Sequence, residues 1–253
     1  MSKIYDRLFF AGPMKMGDYF AANGIIHHYA DRCDELHLPV WPHIVETVKT
    51  LHKDWPNIKV VSLCAGDSGE NQYVAENRLS RINRVPMHFI EINGAHAAAF
   101  WDHQMYQFYE LPFHMRYTNF RLPKHIQGSR ELYQRLSGGE PYGLLHCKGG
   151  DHNNLLQFNI DLDTFRKANG FPDLKFIEVT PDITNDMMQY VDLIRNAQEI
   201  HCVPSSFFCM VDSLYNQTNA ILFYHDVRAE TVMQINSQWN NNRWNIVKYA
   251  TKL

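Results

Sequence analysis

Two strings in the second half of the chain carry side chains suited to holding an anion. The first is His146-Cys147-Lys148-Gly149-Gly150-Asp151. It closes an apolar run from Tyr142 to Cys147 that is expected to be a strand, and it offers a lysine point charge beside two glycines, which let a backbone approach a ligand closely. A polar turn at the carboxyl end of a strand is where ligands bind in open α/β sheets. The second string runs from Ile200 to Leu214. It predicts a short strand, a turn at Pro204 and a helix capped by Ser205 or Ser206. A helix N-terminus with unsatisfied N–H groups and adjacent hydroxyls attracts anions. Phe207, Phe208, Met210, Val211 and Leu214 leave that helix apolar almost all round, as a helix buried in an α/β core should be. Taken alone, the first string also fits a solvated Gly-Gly turn, and the second an ordinary capped core helix.

The first half supplies a candidate base. Gly17-Asp18 opens a helix after the first apolar run. A carboxylate there could take a proton from a hydroxyl, or could only cap its own helix and complement the dipole. His27 and His28 follow on the same predicted helix and are alternative bases or acceptor contacts, or structural histidines. Arg116 and Arg121 flank a crossover segment, Met115 to Pro123. Gly66-Asp67-Ser68-Gly69 lacks the nucleophile-elbow pattern and is expected to be a strand-end turn. Asp161-Leu162-Asp163 is a D-x-D string that could hold a divalent ion or simply lie at the surface. The histidines show no zinc spacing, and neither a Walker loop nor GxGxxG is present.

These residues need a scaffold. Ile4–Gly12, Glu35–Val40 and Ile58–Cys64 read as strands, the last as a doubly covered parallel strand. Helical stretches to about Asp31 and from Pro42 lie between them. The resulting β-α-β-α-β rhythm is half of a doubly wound fold. Pro86–Ile92 is a further strand candidate, and Ala97–Tyr109 a helix. The pattern restarts after residue 128: helix Ser129–Leu136, strand Tyr142–Cys147, strand Leu174–Thr180, helix Thr184–Ala197, strand Glu199–Val203, the serine-capped helix, and strand Ala220–Tyr224. The tail with Trp239 and Trp244 is expected to pack back on the core. The expected architecture is α/β, with two compact Rossmann-like halves facing a cleft: residues 1–120 as an acceptor half and 121–253 as a donor half.

A strand ending in a His-x-basic-x-x-Asp pattern, followed later by a strand, a turn and a Ser-Ser-Phe helix, resembles the donor half of GT-B glycosyltransferases, with closest likeness to their fucosyltransferase-like branch. His146, Lys148 and Asp151 fall on the first motif, and Ser205, Ser206 and Phe207 on the second. The resemblance implies that these six residues bind a nucleotide-diphosphate sugar with UDP or GDP as its carrier. Lys148 stands where that branch has arginine, so the bidentate fork to phosphate is replaced by a single ammonium. Gly17-Asp18 is similar to the Gly-Asp start of several GT-B acceptor domains, which implies Asp18 as the base, with Gly17, His27 and Arg116 near the acceptor. The implied activity is metal-independent transfer of a sugar to a hydroxyl of a glycan or glycoconjugate, with no cofactor beyond the donor. A metal-dependent GT-A transferase using Asp161 and Asp163, and a non-catalytic nucleotide- or glycan-binding module, remain alternatives.

Composition narrows the partners. A formal charge of −3 over 253 residues, with scattered lysines and arginines, gives no basic field for nucleic acid. Five cysteines without a CxxC suit buried thiols in a reducing compartment. No apolar run reaches the roughly 20 residues of a membrane span, so a cytoplasmic protein without stable membrane insertion is expected.

Overall fold

The computed structural model describes residues 5–11, 15–62, 72–73, 83–86, 101–151, 154–169, 173–227 and 240–249. The chain forms two compact units that divide between His125 and Ile126.

In the first unit, β1 (Tyr5–Ala11) is followed by α1 (Met16–Ala21), α2 (Asn23–Ala30), β2 (Cys33–Val40), a 3₁₀ turn at Pro42–Ile44, α3 (Val45–His52), β3 (Ile58–Ser62) and β4 (Asn83–Pro86). α4 (Trp101–Phe108) and α5 (Met115–Thr118) complete it. The strands are all parallel, in the order β3-β2-β1-β4. Leu8, Phe9 and Phe10 of β1 are fully buried, as a central parallel strand requires. Gly24 lets α2 approach α5: a Cβ there would strike the Met115 carbonyl and the Tyr106 hydroxyl.

The second unit holds α6 (Ser129–Ser137), β5 (Tyr142–His146), β6 (Lys148–Asp151), β7 (Asn154–Gln157), α7 (Leu162–Ala168), β8 (Lys175–Glu178), a 3₁₀ turn at Met187–Tyr190 and α8 (Val191–Asn196). Then come β9 (Glu199–Cys202), α9 (Ser206–Ser213), β10 (Ile221–Asp226) and β11 (Trp244–Lys248). Five parallel strands run β11-β10-β9-β5-β8. In order of appearance this is 2-1-3-4-5, a doubly wound order whose switch point lies between β5 and β9. Gly143 of β5 sits opposite Phe176 of β8, whose ring occupies the space a Cβ would take.

The structure corrects several expectations. The Ile58 run is an edge strand among the described residues, with Lys59 and Ser62 exposed, rather than a doubly covered one. Its apolar residues reflect one buried face plus the β-branched preference of strands. The helix expected to run to Asp31 is broken at Ala22 into α1 and α2. Lys148–Asp151 is a strand in place of a polar turn, because its backbone pairs antiparallel with Asn154–Gln157. The tail contributes a parallel strand, β11, beside β10. Residues 63–71 (the Gly66–Gly69 string), 87–100 and Trp239 lie outside the described residues.

A polar chain is threaded through the second core. The Tyr249 hydroxyl meets His225 Nδ1 at 2.6 Å, His225 Nε2 meets His201 Nδ1 at 2.8 Å, and His201 Nε2 faces Glu199 Oε2 at 3.4 Å. Arg166 pairs with Glu199. Burial holds His201 down to about 2 and His225 to about 4, so both rings are neutral, and pairing makes the burial of so many polar groups tolerable.

Candidate functional site

His146 is the last residue of β5, paired in register with Cys202 at the end of β9. The Val203 N–H donates to the His146 carbonyl at 3.2 Å, which ties the two strand ends together at the switch point. The chain then turns through Pro204 into α9. Ser205 is the N-cap, and its Oγ accepts from the Phe208 N–H at 3.2 Å. That Oγ also lies 3.0 Å from the Val203 carbonyl oxygen and 3.1 Å from His146 Nδ1. The His146 ring stacks on Phe207, centroids 5.2 Å apart, and Phe207 meets Tyr190 edge-on. Two strings widely separated in sequence thus form one cluster at the carboxyl edge of the second sheet.

The electrostatics of the cluster are uneven. Burial, and then the neighbouring Lys148 charge, push His146 down to about 4. The ring is therefore neutral near pH 7, and Lys148 is the cation of the cluster. Ser206, half-buried, is the first helical residue, and the first-turn N–H groups around it point out of the helix end. Phe207 is fully buried, so it supports His146 from below and offers no face to a ligand. Asp151 is the last residue of β6, opposite Asn154, and its side chain lies outside the described ones. Cys147 is buried and its thiol is pushed up to about 11, chiefly by burial. Cys33, Cys147, Cys202 and Cys209 are all buried and outside any disulfide.

In the first unit, the strand order places the switch point between β1 and β4 among the described residues. Gly17 and Asp18 lie in the first turn of α1, the first described helix after β1. The Lys15 backbone N–H donates to the Asp18 carboxylate at 2.9 Å, so the expected capping role of Asp18 is present. Asp18 is also half-exposed, and so is accessible.

His27 and Arg116 do not lie where acceptor contact would need them. His27 is fully buried, 4.3 Å from the Trp55 ring and 5.2 Å from His52. Its apolar surroundings, then Arg121, push it down to about 3. Arg116 is fully buried and paired with Asp102, with Tyr117 packed 5.2 Å from the guanidinium. Their positions on the inner faces of α2 and α5 decide this. Arg121 holds Asp31 at 2.9 and 2.5 Å, and its backbone exchanges hydrogen bonds with the Asn23 amide. It therefore fastens the end of the unit.

The D-x-D string is a helix start. Asp161 caps α7 by accepting from the Thr164 N–H at 3.0 Å, and hydrogen bonding to the Thr164 side chain, then to its backbone, holds the Asp161 carboxyl below the usual range. No group of three metal-ligating side chains occurs among the described residues. What sequence inspection missed is the Ser205–His146 contact, which joins residues 59 apart and leaves no spacing signal.

No family model matches the sequence, and no curated protein matches it. Solved structures do resemble it. The glycosyl transferase family 9 structure from Veillonella parvula DSM 2008 superposes with a TM-score of 0.57 at 9% identity, covering 96% of this chain and 86% of that one. The E. coli ADP-heptose lps heptosyltransferase II structure superposes with a TM-score of 0.54 at 10% identity, covering 96% and 90%. The likeness shows the fold: an α/β protein of the GT-B kind built on parallel sheets.

Proposed function

We propose that this protein is a glycosyltransferase that moves a sugar from a nucleotide-diphosphate donor to a hydroxyl of a glycan or glycoconjugate. The observation that carries the proposal is the Ser205–His146 contact at the switch point of the second sheet, with Lys148 two residues beyond His146 and Ser206 opening α9. Open α/β sheets bind ligands at that position. The fold likeness to two glycosyltransferases supports it, one of them an ADP-heptose transferase. ADP therefore joins UDP and GDP as a candidate carrier. The motif likeness to the fucosyltransferase-like branch serves here to assign residues, and the neighbours favour a donor class beyond GDP-fucose.

Lys148 and the α9 N-terminus bind the diphosphate. As the bond from anomeric carbon to phosphate oxygen breaks, negative charge grows on the departing nucleotide, and a fixed ammonium and fixed N–H dipoles stabilise it without reorganising. These groups do the work of a cation, so the reaction is metal-independent. In the first unit, Asp18 takes the proton of the attacking hydroxyl if the anomeric centre inverts. A thermal-shift screen of UDP-, GDP- and ADP-sugars tests the proposal, because a true donor stabilises the native state by mass action. No stabilisation by any of them, and no turnover with a supplied acceptor, would leave a binding module or another function in its place.

A further inference from the structure

Ser205 Oγ has three polar neighbours: the Phe208 N–H at 3.2 Å, the Val203 carbonyl oxygen at 3.0 Å and His146 Nδ1 at 3.1 Å. A hydroxyl has one proton and two acceptor sites. The Phe208 N–H can only donate, and the Val203 carbonyl can only accept. If the hydroxyl gives its proton to Val203, it can accept from both Phe208 and a protonated Nδ1, and all three contacts are hydrogen bonds. If Nδ1 is bare, the single hydroxyl proton must serve both Val203 and Nδ1, and one contact is lost. Losing one costs about 0.5–1.5 kcal/mol. The neutral ring carries one proton, so its placement on Nδ1 leaves a lone pair on Nε2.

We infer that Ser205 locks His146 as an acceptor, so that His146 selects a hydroxyl of the donor, on its ribose or its sugar, and leaves the diphosphate to Lys148 and the helix end. A bare ring nitrogen repels a phosphate oxygen and accepts from an O–H. His146 ends β5 at the switch point, and with Nδ1 on Ser205 and one ring face on Phe207, Nε2 is the ring nitrogen left for a ligand. The assignment rests on the nucleotide-sugar function proposed above and makes His146 a specificity residue within it.

Two measurements test this on the full chain. The first is long-range ¹H–¹⁵N spectroscopy of ¹⁵N-histidine-labelled protein at pH 7, with the His146 signals identified by their absence in His146→Asn. The expected pattern is a protonated Nδ1 and a bare Nε2, and Ser205→Ala should release the lock and mix the tautomers. A protonated Nε2 in the wild type overturns the inference.

The second is calorimetric titration of UDP, GDP and ADP, their 2′- and 3′-deoxy forms and their hexose conjugates. Asn keeps an amide near the Nδ1 position but has nothing at Nε2, whereas Gln can place its carbonyl there. His146→Asn should weaken the best-bound probe by about 2- to 12-fold, the equivalent of one neutral hydrogen bond, and His146→Gln should recover it. A loss that disappears with a deoxynucleotide identifies the ribose, and a loss confined to the hexose conjugate identifies the sugar. Unchanged affinity in His146→Asn, or equal losses in Asn and Gln, overturns the inference while the function stands. If no probe binds the wild type, the function falls and this assignment falls with it. Thermal unfolding of each variant checks that it is folded.

Discussion

His27→Leu offers a sharp test of how the first unit is built. Both ring nitrogens of His27 are buried without a hydrogen-bond partner among the described residues, and the ring is held down to about 3 against 6.5 when unfolded. Between those values the unfolded chain binds a proton that the native state refuses. The contribution to stability is therefore intact above pH 6.5 and declines as pH falls. From pH 7.5 to 5.5 the binding polynomial of the unfolded histidine grows about tenfold while the native one stays flat. The native state loses about 1.4 kcal/mol relative to the unfolded one through this residue alone. Leucine of similar volume removes that term, and it also removes two unsatisfied polar atoms, each costing about 1–3 kcal/mol. Urea unfolding at the two pH values, followed by tryptophan fluorescence and far-UV circular dichroism, should show His27→Leu more stable at pH 7.5. Its loss on acidification should be smaller than wild type by about 1.4 kcal/mol. An unchanged pH dependence, or a variant weaker at pH 7.5, would refute the claim that His27 is a neutral, unsatisfied core residue.

Further outcomes follow from the second unit and from Asp18. Lys148→Ala should weaken binding of the preferred nucleotide diphosphate by about 1.5–3 kcal/mol by calorimetry, and equal affinity would remove Lys148 from the diphosphate. Asp18→Asn keeps an acceptor for the Lys15 N–H, so the fold should hold while kcat drops about 100- to 10,000-fold with donor affinity unchanged; full turnover would place the base elsewhere. Activity should persist in EDTA, and a strict manganese or magnesium requirement abolished by Asp161→Ala would reverse the metal-independent proposal. Gly143→Ala must displace the Phe176 ring, which is wedged 5.0 Å from the Arg166 guanidinium and 5.5 Å from His201. Overpacking there should lower stability by about 1–3 kcal/mol, and an unchanged melting temperature would show that the ring moves freely.

The parallel α/β class was legible in the order of apolar runs, and so was the serine-capped helix. Both follow from local chemistry: a strand buried on both faces must be apolar nearly throughout, and an N-cap needs a short side chain with an acceptor beside its helix. Gly138 ends α6 at a φ of 62°, where a residue without Cβ is favoured. Local pattern could not say which strands are neighbours. Among the described residues the Ile58 run, with a core strand's composition, lies at an edge, and the Trp244 tail is a fifth parallel strand of the second sheet. Pairing depends on partners far along the chain, and an apolar run satisfies either a central or an edge position. The same limit governed the site. His146, Lys148 and Ser205 were recognisable as types, but only the 2-1-3-4-5 strand order brings β5 beside β9 and sets Ser205 on the His146 ring. His27 and Arg116 show the converse. On a helix surface a histidine or arginine suits ligand binding or burial equally well, and the choice is made by which face the neighbouring helices cover.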